Sequence, residues 1–188
     1  MNTYIFIISG KFKNSKIIFP INFYKIKNFN PTPFHIKKKI FDWIGSLKGF
    51  YCLDFFSCTG ALGFEAASRG CKLSVLLEKN KKFFYFLNKN KKKLNIKNSK
   101  IFNLNSFFYV NYINKIYYNL IFIDSPYIIF KSLFNSLKLS LNILKKNSYI
   151  YLESIFNLNL IMKFFKDKIY CLKCDFFKKI NFYLFKVF

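Results

Sequence analysis

From Phe50 onward the chain alternates short apolar runs with stretches whose apolar residues recur every three or four positions. The first kind reads as buried strands, at 50–54, 73–77, 100–104, 119–123 and 148–152, and the second as helices, at 60–69, 80–94, 106–114 and 130–145. Strands separated by helices imply a parallel sheet covered on both faces. The stretches 168–176 and 180–187 then predict an antiparallel hairpin, with Lys178 and Lys179 near its turn. Ahead of this region, 3–9 and 15–20 predict a second hairpin around Gly10, Lys11 and Asn14. After a Lys/Asn-rich link, Pro31, Thr32 and Pro33 precede a helix through Trp43, with Ile36, Ile40, Phe41 and Ile44 at helical spacing. The expected organisation is an N-terminal extension, 1–48, followed by an α/β domain, 49–188.

Composition refines this picture. With 188 residues and 53% hydrophobic content the chain can bury a full core. No apolar run reaches the roughly 18 residues that a membrane span needs, and Met1–Gly10 lacks a basic start and a cleavage site. A soluble, cytoplasmic protein is expected. The net charge of +24 suggests a polyanionic partner. However, 31 of the 32 basic residues are Lys, and Lys, Asn, Ile, Phe and Tyr all have codons of A and T alone. Base composition therefore accounts for much of the lysine, and a surface shaped for phosphate would use more arginine. Of five cysteines, Cys171 and Cys174 have CxxC spacing, but no second pair follows and His35 is the only histidine. Neither a disulfide framework nor a metal site is expected.

The chemistry lies in the acids. There are eight, and Asp54, Glu78, Asp124 and Glu153 fall at the carboxyl ends of four predicted strands. Ligands of open α/β sheets bind outside those ends. Cys52–Glu65 runs from an apolar strand into Asp54, crosses the small loop Ser57, Cys58, Thr59, Gly60, Ala61 and enters a helix, the outline of a nucleotide-type cofactor site. Glu78 stands 18 residues beyond Gly60, near the spacing at which an acid accepts hydrogen bonds from ribose hydroxyls. Capping of the helix that begins near Asn80 is the alternative. Asp124, Ser125, Pro126 and Tyr127 follow the strand Leu120–Ile123. Asp124 and the Ser125 carbonyl suit an amine, and Tyr127 suits the face of a flat ring.

The loop at 52–63, Glu78, and Asp124–Tyr127 together resemble Rossmann-like S-adenosylmethionine-dependent methyltransferases that modify exocyclic amines. The phrase GALGFEAASRG at 60–70, the hairpin with Ile7, Ile8 and Gly10, the Pro31-Thr32 step before Phe41-Asp42-Trp43, and YIYLES at 149–154 narrow the resemblance to the RsmD family, which methylates guanine N2 in 16S ribosomal RNA. The resemblance implies a mostly parallel methyltransferase sheet with a C-terminal antiparallel hairpin, working as a monomer without metal on 16S rRNA or the small subunit. Asp54, Ser57, Cys58, Thr59 and Gly60 would hold the methionine side of the cofactor, Glu78 the ribose, and Asn105 the region of the adenine amine. Asp124, Ser125, Pro126 and Tyr127 would hold the target guanine, and Asn90 would be structural. Lys11, Lys13, Lys37, Lys38 and Lys39 are the candidate RNA contacts. The chain departs from the family pattern at Cys58, usually Gly, at Asn30, usually Arg, and at Ser125, usually Pro. The rival readings are a DNA-adenine or release-factor glutamine methyltransferase on the same fold, and a non-catalytic RNA-binding assembly factor.

Overall fold

The computed structural model describes residues 2–20, 32–112, 117–124 and 130–188. A two-stranded antiparallel hairpin, β1 (Asn2–Phe6) and β2 (Lys16–Pro20), is followed by helix α1 (Phe34–Ile44). The main sheet then builds through β3 (Tyr51–Asp54), α2 (Ala61–Ser68), β4 (Leu73–Leu77), α3 (Lys81–Lys93), β5 (Ser99–Phe102), α4 (Ser106–Tyr112), β6 (Tyr118–Ile123), α5 (Phe130–Ile143) and β7 (Leu144–Ser154). Helix α6 (Leu158–Phe165) and the hairpin β8 (Ile169–Phe177) and β9 (Ile180–Val187) complete the chain. The strand order is β5-β4-β3-β6-β7-β9-β8. Its first five strands run parallel, and β9 pairs antiparallel with both β7 and β8. The chain leaves β3 toward one edge and returns beside β3 with β6. This reversal opens a crevice at the carboxyl ends of β3 and β6.

Every expected strand and helix of the alternating region is present, within a few residues of its predicted ends. Helix α6 was not foreseen. It spans eight residues, LNLIMKFF, with Ile161 and Phe165 buried four residues apart, and two turns are too short a window for that period to stand out from a plain apolar run. Its start is local chemistry: the Asn157 side chain accepts from the Leu160 N–H.

Buried apolar residues of the N-terminal extension pack against the α/β domain. Ile7 and Ile17 pack with Phe64, Leu76 and Leu87, while Ile36, Ile40 and Phe41 pack with Cys52, Leu62 and Leu120. Polar anchors fix this docking. Glu65, fully buried in α2, accepts from the Ile8 and Ser9 N–H groups at 2.8 and 3.0 Å and pairs with Lys37 and Arg69. Asn90 of α3 completes the Ile18 backbone as a neighbouring strand would, accepting from its N–H at 2.9 Å and donating to its carbonyl at 2.8 Å. At Gly10, with φ of +81°, a Cβ would lie 1.9 Å from the Ser68 carbonyl oxygen. Only glycine permits that approach.

Candidate active site

Three of the four strand-end acids gather around the β3/β6 crevice, and Glu78 lies beside them at the end of β4. Asp54 is buried at the end of β3, where its Oδ2 accepts from the Gly63 N–H at 3.1 Å, in the first turn of α2. The close approach of α2 to the sheet depends on Gly63, since a Cβ there would meet Leu76 at 2.7 Å. Between them the loop turns back on itself: Ser57 Oγ donates to the Asp54 carbonyl, the Gly60 N–H donates to the Ser57 carbonyl, and Gly60 takes φ of +84°. Glu78 ties this loop to the next strand. Its Oε2 accepts from the Cys58 N–H at 2.9 Å and its Oε1 from the Asn80 N–H at 2.7 Å. The helix cap itself is Asn80, which accepts from Lys82 and Phe83. Carboxylate oxygens carry further acceptor capacity, so Glu78 can still take a ligand hydroxyl.

Asp124 and Glu153 end β6 and β7 and share a neighbour from the extension, Thr32. Its Oγ1 lies 3.3 Å from Asp124 Oδ2 and 3.3 Å from Glu153 Oε1. The Tyr151 hydroxyl donates to the same Glu153 oxygen at 2.8 Å. Ser125, Pro126 and Tyr127, expected to complete the base-holding turn, lie outside the described residues, as do Asn30 and Pro31. Asn105 stands before α4, where its Oδ1 accepts from the Phe107 N–H. It caps that helix, so its amide N–H₂ is the group most readily turned to a ligand.

Electrostatics give the crevice its character. The ion pairs among the described residues, Lys37–Glu65, Arg69–Glu65 and Lys39–Asp175, include none of the four strand-end acids, although the chain carries 31 lysines. Burial, and then the charge of Asp124, pushes the Asp54 carboxyl up to about 7. Burial raises Glu78 as well. Asp124 is pushed up to about 6 and Glu153 well above the usual carboxylate range, again with burial as the leading cause. A cluster of uncompensated acids fits a ligand that brings positive charge, such as a sulfonium and an ammonium. It repels a pyrophosphate.

These shifts set a pH dependence. A carboxyl whose folded value is raised stabilises the fold fully below its unfolded value, near 4, and that contribution is lost as pH rises through the folded value. For Asp54, rising from 3.8 to about 7, the loss is on the order of 4 kcal/mol. Thermal melts of the ligand-free chain are expected to fall between about pH 4 and about pH 7, and Asp54→Asn to flatten that fall. An equal slope in the variant would contradict this account.

Cys58 occupies the loop with φ of +48°, a left-handed conformation that glycine adopts without penalty. Burial, and then the charge of Glu78, pushes the thiol up, so Cys58 is a neutral thiol and not a nucleophile. Cys58→Gly is expected to stabilise the fold by about 0.5–1 kcal/mol after the entropy of the freer unfolded chain is counted, measured by denaturant titration.

Among the RNA candidates, Lys11, Lys13, Lys38 and Lys39 are exposed. Lys37 requires a correction. It is 2% exposed, with Nζ 2.6 Å from the Phe6 carbonyl and 3.2 Å from Glu65 Oε2, so it braces the hairpin and does not face RNA. Its spacing held the signal, because Lys37 precedes Phe41 by four residues and Ile44 by seven on the buried side of α1. Lys39 is paired with Asp175 at the surface. Among the described residues no group of three or more His, Cys, Asp or Glu is arranged to hold a metal ion, and no helix is long and apolar enough to cross a membrane.

Comparison with known proteins agrees with this fold. Residues 5–170 match the family described as Conserved hypothetical protein 95. The chain is 41% identical over 155 residues to Ribosomal RNA small subunit methyltransferase D of Buchnera aphidicola from Acyrthosiphon pisum, covering 81% of this chain and 78% of that protein. It is 40% identical over 163 residues to the protein of the same name from the Baizongia pistaciae strain, covering 84% and 79%. The solved structure of the putative methyltransferase yhhF from Escherichia coli superposes with a TM-score of 0.82 at 22% identity, over 98% of both chains. With a family match over residues 5–170 and relatives 40–41% identical over most of their length, the chain belongs to the RsmD family of methyltransferases.

Proposed function

We propose that this chain transfers a methyl group from S-adenosylmethionine to the exocyclic N2 amine of a guanine in 16S ribosomal RNA, free or within the small subunit. The observation that carries this reading is the row of acids on the carboxyl ends of β3, β4, β6 and β7, none of which forms an ion pair among the described residues. Asp54 and the loop Ser57–Gly60 hold the methionine side, Glu78 the ribose, and Asn105 the region of the adenine. Asp124 accepts hydrogen bonds from the amine of the target base, with Ser125, Pro126 and Tyr127 beside it, after the base has left its stack. When bound, S-adenosylmethionine supplies an electrophilic methyl group. The chain contributes near-attack positioning and a fixed carboxylate that favours positive charge developing on the amine nitrogen. The exposed Lys11, Lys13, Lys38 and Lys39 line the RNA side.

Incubation with labelled S-adenosylmethionine and either naked 16S RNA or unmodified small subunits, followed by nucleoside analysis, tests this. Label is expected in N2-methylguanosine. Label in adenosine or in protein alone would direct the assignment to the adenine or glutamine methyltransferases. RNA binding without incorporation would direct it to an assembly factor.

A further inference from the structure

Asp124 and Glu153 come from neighbouring strands and meet at one hydroxyl, that of Thr32, 3.3 Å from each. Thr32 is buried and has a single proton, so it can donate to only one of the two acids at a time. Tyr151, fully buried, spends its own proton on Glu153. Among the described residues, the other titratable groups facing the pair bring no positive charge: Asp54 comes from β3 and Cys58 from the loop, with Glu78 behind them at the end of β4. On α1, His35 lies against Phe177, Lys37 pairs with Glu65 and Lys39 with Asp175, while Lys38 is exposed and Asp42 is an acid. Two carboxylates about one hydroxyl, with no cation among the described residues, cannot both stay ionised at low cost.

We propose that Glu153 is a positioning residue for methyl transfer: its carboxyl keeps one proton, donates it in a hydrogen bond to Asp124, and so holds Asp124 as the anionic acceptor for the target amine. The proposal rests on the methyltransferase reading above. Burial raises both acids, and the charge of Asp124 adds to the rise at Glu153, which places the retained proton on Glu153. In the reaction the lone pair on guanine N2 forms the new N–C bond as the methyl's bond to sulfur breaks and its electron pair stays on sulfur. The nitrogen then releases one proton to Asp124, keeping the N–H electron pair. The two acids now hold two protons, and one leaves to water as the product departs.

Glu153→Gln mimics the protonated acid, because its amide can donate to Asp124 and accept from Tyr151, whereas Glu153→Leu can do neither. Methyl incorporation is measured against pH at saturating cofactor and RNA, together with the infrared band of protonated carboxyl groups. Glu153→Gln is expected to keep kcat within a few-fold at neutral pH, with KM unchanged, and to lose the alkaline limb of the profile. Glu153→Leu is expected to lose about tenfold or more, as removal of a hydrogen bond to a charged group does, with its acid limb moved to higher pH. The protonated-carboxyl band of the wild type should weaken in Glu153→Gln. An undiminished band, one pH profile shared by all three proteins, or equal losses in Gln and Leu would overturn the proposal. A band that weakens as expected in a wild-type protein that methylates no RNA would instead overturn the ribosomal reading and leave the retained proton in place.

Discussion

Asp124→Ala is expected to reduce methyl incorporation into RNA by a factor of roughly 100 to 10,000, the range in which a positioned proton acceptor contributes. The side chain follows β6 at the β3/β6 crevice, beside Thr32, and in the proposed function it is the acceptor for the target amine. Its removal does not threaten the fold. Burial already opposes the charged form of Asp124, so alanine removes a desolvated carboxylate and the unfolding free energy should stay close to level. Asp124→Asn separates charge from hydrogen bonding: it keeps an acceptor oxygen and should retain part of the binding while losing most of the rate. A variant that folds, binds RNA and methylates at the full rate at saturating substrate would remove Asp124 from the chemistry.

Glu65→Ala is expected to destabilise the protein by about 3–5 kcal/mol, the cost of breaking a buried ion pair by deleting one partner. Glu65 is fully buried and satisfies the Ile8 and Ser9 N–H groups, Lys37 and Arg69 together. Without it an ammonium is left unpaired in the interior. Desolvation already lowers the Lys37 value, with Glu65 opposing that shift. The penalty should therefore shrink as pH rises and the unpaired lysine loses its proton. Urea titrations at several pH values measure this, and a loss below 1 kcal/mol at neutral pH would show that the hairpin is held by its apolar contacts alone. Replacing Glu65 by Leu and Lys37 by Met together should recover much of the stability, because no buried charge then remains unpaired.

The alternation of strand and helix was legible because a buried parallel strand is a short apolar run and its covering helices carry one apolar stripe. The placement of the four acids followed from the strand ends alone. Contacts made across the chain were not legible. Thr32 reaches Asp124 and Glu153 over 92 and 121 residues of sequence, and no local pattern marks such a meeting. Glu153 was visible as a strand-end acid, but its partner hydroxyls were not, so it received no role. Lys37 was misjudged because the run of three lysines at 37–39 reads as a charged surface, although its helical phase lies on the buried side. Asn105 was assigned to the adenine region by resemblance, and its hydrogen bond from the Phe107 N–H shows a helix-capping duty that the same residue performs locally.

The unpaired acids of the crevice also bear on how a turnover ends. Giving up its methyl turns a sulfonium into a neutral thioether, so the spent cofactor carries one positive charge fewer than the fresh one. A pocket that recognises charge therefore holds its reactant more tightly than its product, and the grip loosens at the moment the chemistry is complete. Inhibition by the accumulated by-product should accordingly weaken relative to substrate binding as pH rises and more of these acids ionise, so the enzyme clears itself best where its resting fold is least stable.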